Sequence, residues 1–164
     1  DASGVASLAN NPFVLPSDLQ MVHLWQDEAY NYWIGTMQGL VKYNTSKKQL
    51  SYRGHNIEND PVIKAFENVP SINNLYLDKS RRFWIMSWQN PGLSIQSFNI
   101  ETGERQEWAQ VIGKTINNQY YVPFGLLETN DGNIWLAGDN VFGRFNIKDH
   151  SFMLVPNNIP GQYS

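Results

Sequence analysis

The sequence predicts an all-β chain, a partial β-propeller of three four-stranded antiparallel blades forming an open arc or part of a larger ring. Three observations predict it. The first is composition: 8 Phe, 8 Tyr and 6 Trp stand among 164 residues, with 19 Asn and only 16% charged residues. Aromatics favour pleated, half-buried surfaces and Asn tolerates turn geometry. The second is a repeat. Trp33, Trp84 and Trp135 are spaced 51 and 51 residues apart, in the frames Tyr32-Trp33-Ile34-Gly35-Thr36, Phe83-Trp84-Ile85-Met86-Ser87 and Ile134-Trp135-Leu136-Ala137-Gly138. The third is that each unit divides into four short apolar runs bounded by Gly, Asn, Asp and Ser. A lone four-stranded sheet cannot bury either face, whereas stacked blades bury both.

In the first unit the expected strands are Val22 to Gln26, Tyr32 to Thr36, Leu40 to Tyr43 and Gln49 to Arg53. In the second they are Asn74 to Leu77, Phe83 to Ser87, Leu93 to Phe98 and Arg105 to Trp108. The third offers Gly125 to Glu128, Ile134 to Ala137, Val141 to Phe145 and Phe152 to Val155. Asn130-Asp131-Gly132-Asn133 and Glu101-Thr102-Gly103-Glu104 are the strongest hairpin signals. Between units, Pro61 to Asn68 reads as one short helical turn. The blades are expected at about 15–60, 70–110 and 120–156. Residues 1–14 read as an extension or neighbouring-blade strand, and 157–164 as the start of a connection.

Six residues before each tryptophan stand Asp27, Asp78 and Thr129. A carboxylate there accepts backbone N–H bonds and closes the hairpin, and its recurrence argues for structure over catalysis. Downstream come the pairs Tyr43-Asn44, Phe98-Asn99 and Phe145-Asn146, at Trp-to-Asn intervals of 11, 15 and 11. The middle unit therefore carries a four-residue insertion near Ser87-Trp88-Gln89-Asn90-Pro91-Gly92. The three repeated tryptophans are expected to fill the space between blades.

The frame Asp27-x5-Trp33-Ile34-Gly35-Thr36-x2-Gly39-Leu40-x2-Tyr43-Asn44 resembles the regulator-propeller repeat of periplasmic sensor regions in two-component and hybrid two-component systems. The second unit keeps Asp78, Trp84, Gly92-Leu93 and Phe98-Asn99, with Arg81 at the usual turn glycine. The third matches at Asp131-Gly132-Asn133-Ile134-Trp135 and then departs, with Ala137-Gly138 for Gly-Thr and Gly143 displaced. The resemblance covers roughly residues 15–156. It implies a seven-bladed ring in the parent protein and a ligand-sensing, periplasmic piece without catalytic activity of its own. Oligosaccharides are the ligands it commonly implies, and any kinase output would lie elsewhere in a longer chain.

Composition excludes several classes. The net charge is -3 with no basic block, so nucleic acid is not an expected partner. No apolar run reaches the roughly 18 residues of a membrane-spanning helix. Cysteine is absent, which removes disulfides, thiolate nucleophiles and thiolate metal sites. His23, His55 and His150 fall in no metal-spaced pair, and neither a nucleophile elbow nor a phosphate loop is present. No cofactor or metal is expected.

Binding is the remaining chemistry. In a propeller, the loops joining strand two to strand three and those joining blades emerge on one face. That places Met37-Gln38, Trp88-Gln89-Asn90, Asp139-Asn140 and the connectors together. Trp88, Gln89 and Asn90 offer an aromatic face and amides, the equipment for stacking on a sugar and bonding its hydroxyls. Arg53 with His55, and Tyr120-Tyr121 with Asn117-Asn118-Gln119, form a second tier on the two connectors. Arg81-Arg82 reads as a small solvated positive spot on the opposite face. A structural propeller that docks partner chains or a second copy is the alternative class. A propeller glycosidase or lyase using Asp27, Glu28, Asp78 or Asp131 is the third. Three blades are fewer than the roughly four to eight that close a ring, so the terminal faces are expected to meet further blades or another copy.

Overall fold

The computed structural model describes residues 19–89 and 92–155, the side chain of Gln89 excepted. The expected segments 1–14 and 157–164, and Asn90, lie outside the described residues. Twelve strands form three four-stranded antiparallel sheets, each in chain order. Blade 1 comprises β1 (Met21–Gln26), β2 (Tyr32–Thr36), β3 (Gly39–Asn44) and β4 (Gln49–Tyr52). Blade 2 comprises β5 (Asn74–Leu77), β6 (Arg82–Gln89), β7 (Gly92–Asn99) and β8 (Arg105–Glu107). Blade 3 comprises β9 (Val122–Glu128), β10 (Ile134–Asp139), β11 (Val141–Asn146) and β12 (Ser151–Leu154). Two short helices, α1 (Pro61–Ala65) and α2 (Ala109–Thr115), lie in the connectors. The chain divides into two compact units, one through Asn73 with blade 1 and α1, the other from Asn74 with blades 2 and 3 and α2.

In the first unit, Asp60 caps α1 by accepting from Val62 N and Ile63 N (2.9 and 3.2 Å), with Pro61 pre-set for the first helical turn. The same carboxylate takes the ammonium of Lys42 at 2.7 Å, tying the helix to β3. The connector then returns to the β2–β3 turn, where Ile72 N donates to Thr36 O at 2.9 Å. That approach needs Gly35, because a Cβ there would sit 2.5 Å from Ile72 O.

The second unit has one continuous core. Trp84, Met86 and Ile95 of blade 2 face Ile134, Leu136, Phe145 and Phe152 of blade 3, with Trp108, Ile112 and Ile116 completing the cluster. Trp84 lies 4.8 Å from the Phe145 ring and 5.6 Å from Trp108. The helix α2 is a correction to the expected layout, which ran a strand through Trp108 and left 109–119 as connector. Trp108, Ile112 and Ile116 recur at i, i+4, i+8, one apolar helical stripe. Trp108 caps the helix, its backbone N bonded to Ile95 O and its indole to Ser97 Oγ.

The repeated aspartates close their hairpins as expected, and they hold the tryptophans as well. Asp27 accepts from Asn31 N (2.8 Å) and from Trp33 Nε1 (2.9 Å). Asp78 accepts from Arg82 N (2.8 Å) and from Trp84 Nε1 (2.8 Å). In blade 3, Asp131 inherits the backbone bond, from Asn133 N at 3.3 Å, but Trp135 Nε1 has no partner. Trp135 is only partly buried, and its sheet face carries the exposed side chains Leu127 (63%) and Phe142 (53%).

Two further expectations change. The four-residue insertion lengthens both arms of the β6–β7 hairpin, whose register runs to Gln89↔Gly92, so Trp88 is a strand residue paired with Leu93. Arg82 is buried at the start of β6, its guanidinium 3.7 Å from Glu104, and Arg81 alone is exposed, because the turn ends one residue earlier than a two-arginine surface spot requires.

Candidate functional site

Each unit carries a hollow where a β-turn meets a connector. In blade 3 the hollow measures about 560 Å³ and is lined by Gly138, Asn140, Val141, Phe142, Leu154 and Val155, with Thr115, Ile116, Asn117 and Gln119 from the connector. In blade 1 it measures about 300 Å³ and is lined by Thr36, Gln38, Gly39, Leu40, Val41, Tyr52 and Arg53, with Leu19. Subtracting the Trp33-to-Trp135 separation of 51 plus 51 converts the six blade 3 lining positions into Thr36, Gln38, Gly39, Leu40, Tyr52 and Arg53. The two hollows are the same place in the repeat.

The blade 3 hollow is rich in amides. Asn140 sits in the tight β10–β11 turn with φ 56°, and its Nδ2 donates to Tyr120 O at 3.1 Å, which ties the turn to the incoming connector. Asn117 and Asn118 follow α2 in left-handed conformation (φ 54° and 56°), the geometry Asn tolerates when it ends a helix. Gly138 lets the backbone of Val122 and Pro123 approach beneath the turn. The result is three amide residues, Asn117, Gln119 and Asn140, in one lining with Phe142. Such a surface offers donors and acceptors to hydroxyls and an apolar face to a ring.

The blade 1 hollow differs at its rim. Arg53 and Gly54 form a tight turn closed by Tyr52 N to His55 O (3.1 Å) and His55 N to Tyr52 O (2.8 Å), with Gly54 at φ 76°. The Tyr52 and His55 rings lie 5.1 Å apart. Gln38 Oε1 accepts from Gln20 N at 2.9 Å, and Gln38 N donates to Thr36 Oγ1 at 3.1 Å.

The expected ligand residues therefore fall in separate places. Arg53 lines the blade 1 hollow and His55 stands across the turn from it. Tyr120 is exposed at 75% and contributes its carbonyl to Asn140. Tyr121 donates its phenol to Ala109 O at 3.4 Å, and burial pushes its pKa up to about 12. Trp88 is 41% exposed on the long hairpin of blade 2, at the same count from its repeat tryptophan as Met37 and Asp139. Asn140 stood among the expected loop residues and Asn117 and Gln119 in the second tier; what the structure adds is that they share one lining with Phe142.

The three aspartates considered for hydrolysis are engaged elsewhere. Asp27 and Asp78 hold indoles and turn amides, and Asp131 accepts from the Thr129 hydroxyl and from Asn133. Among the described residues no group of three or more His, Asp or Glu side chains is placed to hold a metal ion, and no helix is long and apolar enough to cross a membrane. His23 is half-buried on β1, and burial lowers its pKa.

The fold has solved counterparts. The extracellular domain of BT3049 from B. thetaiotaomicron, assigned to a hybrid two component system, matches 90% of this chain at a TM-score of 0.57 and 13% identity. The two share a fold. This chain spans 18% of that domain's length. The extracellular domain of BT4673 from the same organism, assigned in one structure to a one component and in another to a hybrid two component system, matches at TM-scores of 0.47 and 0.48 with 15% and 14% identity. Those matches cover 90% and 92% of this chain and 23% of the other. No protein-family model matches the chain, and no curated protein matches it. The regulator-propeller resemblance of the repeat and the likeness to BT3049 point to the same fold.

Proposed function

We propose that this chain is a ligand-sensing propeller segment from the periplasmic region of a two-component sensor, without catalysis of its own. Its ligand is carbohydrate-like and sits in the blade 3 hollow. The observation that carries the reading is the amide cluster Asn117, Gln119 and Asn140 with Phe142 in a hollow of about 560 Å³. A sugar presents both hydroxyls and an apolar ring face, and this lining answers both. The likeness to an extracellular domain of a hybrid two component system supports the sensor setting. Trp88, Gln89, Asn90, Tyr120 and Tyr121 are accessory contacts in this reading, and the signalling output belongs to other parts of a longer protein. Calorimetric titration with a panel of neutral oligosaccharides tests it. At least one should bind saturably, and Asn140→Ala should weaken it about tenfold, the upper range for losing one hydrogen bond. Trp88→Ala measures the accessory contact. Binding indifferent to Asn140→Ala removes the hollow from the site.

A second reading is favoured by the Trp135 face of blade 3. Leu127, Phe142 and Ala137 are exposed there around an apolar hollow of about 380 Å³. The equivalent face of blade 2 is covered by a sheet of this same repeat, so a second copy of the chain supplies a fitting partner. Light scattering that shows a dimer dispersed by Phe142→Glu supports self-association. A monomer at high concentration defeats it.

A further inference from the structure

We infer that the blade 1 hollow is a second binding site, selective for the anionic group, a carboxylate or a sulfate ester, of a polyhydroxylated ligand, with Arg53 as its recognition residue. The inference extends the ligand-sensing reading from blade 3 to blade 1 and stands on different residues.

Repeat equivalence is the starting point. Where the blade 3 hollow places Val155, the blade 1 hollow places Arg53, and where blade 3 places Leu154, blade 1 places Tyr52. The shape recurs while the chemistry at one rim position changes from aliphatic to cationic. Among the described residues Arg53 forms no ion pair and no hydrogen bond. Carboxylates are not scarce, since the chain has 15 Asp plus Glu against 12 Lys plus Arg. On the same sheet Lys42 meets Asp60 at 2.7 Å, and Lys47 meets Glu58 at 2.9 Å. Arg53 is thus the cation of this group that faces a hollow instead of a carboxylate.

Its backbone is fixed. The two-residue turn closed by Tyr52 and His55 sets the backbone from which Arg53 projects, so binding orders the side chain and not the loop. A guanidinium presents a planar fork matched to a carboxylate or sulfate. Gln38 adds a neutral donor: its Oε1 is held by Gln20 N, which leaves the Nε2 hydrogens for a ligand oxygen. A volume of about 300 Å³ is at the small end for a ligand pocket, the size for one unit of a chain.

The test is a backbone-amide NMR titration of the intact chain with an oligogalacturonate, a sulfated oligosaccharide, a neutral malto-oligosaccharide and sodium sulfate. An anionic oligosaccharide should shift the amides of Thr36 to Gly39 and of Arg53 saturably. Arg53→Gln should raise its Kd about tenfold or more, and Arg53→Lys should recover only part of that. The carboxylated and sulfated arms decide which anion is preferred, and a response to either supports the site. Equal binding of neutral and anionic sugars there, an unchanged Kd in Arg53→Gln, or a response to sodium sulfate as strong as to the oligosaccharide each overturns it. Neutral-sugar binding lost in Asn140→Ala reports on blade 3 separately, so either site can fail alone.

Discussion

Blades 2 and 3 belong to one packed unit, yet they treat the same residue in opposite ways. Trp84 is fully buried, its indole N–H held by Asp78 and its ring sealed by Phe145 and Trp108. Trp135, 51 residues on, has Thr129 where blade 2 has its aspartate, an indole N–H without a partner, and a face lined by exposed Leu127 and Phe142. The contrast shows what the Asp-x5-Trp spacing does. Two strands of a hairpin fix the ring's position, but only a carboxylate at the turn satisfies both the turn amide and the indole. In blade 3 the orphaned indole N–H is itself shut off from water, so the missing carboxylate leaves a standing cost there.

The largest way to break the contrast is Asp78→Ala. It strands two donors, Arg82 N and Trp84 Nε1, in a buried turn. Each orphaned donor costs about 1–3 kcal/mol, so a loss of about 3 kcal/mol is expected in urea denaturation. Asp78→Asn keeps one acceptor oxygen and should lose less. Equal losses from Asp78→Ala and Asp131→Ala would end the distinction between the two blades.

Next in size is the pin between the sheets. Glu128 of β9 accepts from Tyr76 OH at 3.1 Å and from Lys79 N at 3.0 Å. Glu128→Ala should cost about 1–2 kcal/mol, as a charged acceptor with two donors. It also has a spectroscopic readout. Burial, followed by the bond and charge of Glu128, pushes the Tyr76 phenol up to about 12. Removing Glu128 should bring its ultraviolet titration back toward the ordinary tyrosine range, and an unmoved titration would show that burial alone holds it there.

A gain should follow from making blade 3 resemble blade 2. Thr129→Asp with Asp131→Ser places Asp and Ser where blade 2 has Asp78 and Ser80 and avoids placing two carboxylates side by side. The new carboxylate would accept from Trp135 Nε1 and Asn133 N, worth about 1 kcal/mol. The gain is expected to be smaller than the Asp78→Ala loss because one orphaned donor is satisfied where Asp78→Ala strands two. A destabilised double variant would mean that the turn, and not the missing acceptor, sets the position of Trp135.

How much of this was legible in the sequence follows from the range over which each feature acts. The strands were visible because their signal is local: Tyr32-Trp33-Ile34-Gly35-Thr36 reads as β2 with the observed bounds, and Asn74 to Leu77 as β5. The helix α2 was missed because a seven-residue helix gives only two turns of periodicity, and Trp108 had been assigned to the strand before it. The hidden part of Asp27 and Asp78 was the indole bond, a contact six residues away that hairpin pairing brings close. The hollows were least legible. Their linings come from three strands and a connector, and only the repeat arithmetic, applied after one hollow is known, finds the other. Arg53 was noticed as a connector residue, but that it lines a hollow depends on the turn between Tyr52 and His55.

The finest test of the comparison is pH. Burial raises the pKa of Asp78 above the ordinary aspartate value, against the opposing bonds from Trp84 and Arg82. The side-chain bond from Thr129, then those from Asn133, lower that of Asp131, which is exposed. The signs are opposite. A carboxyl raised on folding contributes stability that is fully present below about pH 4, the unfolded value, and is lost as pH rises through its folded value. A carboxyl lowered on folding contributes stability above about pH 4 that is lost as pH falls through its folded value. Side-chain carboxyl NMR should therefore place the Asp78 midpoint above about 4 and the Asp131 midpoint below it. In Trp84→Phe, which removes the indole N–H, the Asp78 midpoint should climb further, since a bond that favours the charged form is gone. No such move is expected at Asp131 in Trp135→Phe, because that indole never reached a carboxylate. A shift at Asp131 equal to the one at Asp78 would show the two turns to be electrostatically alike.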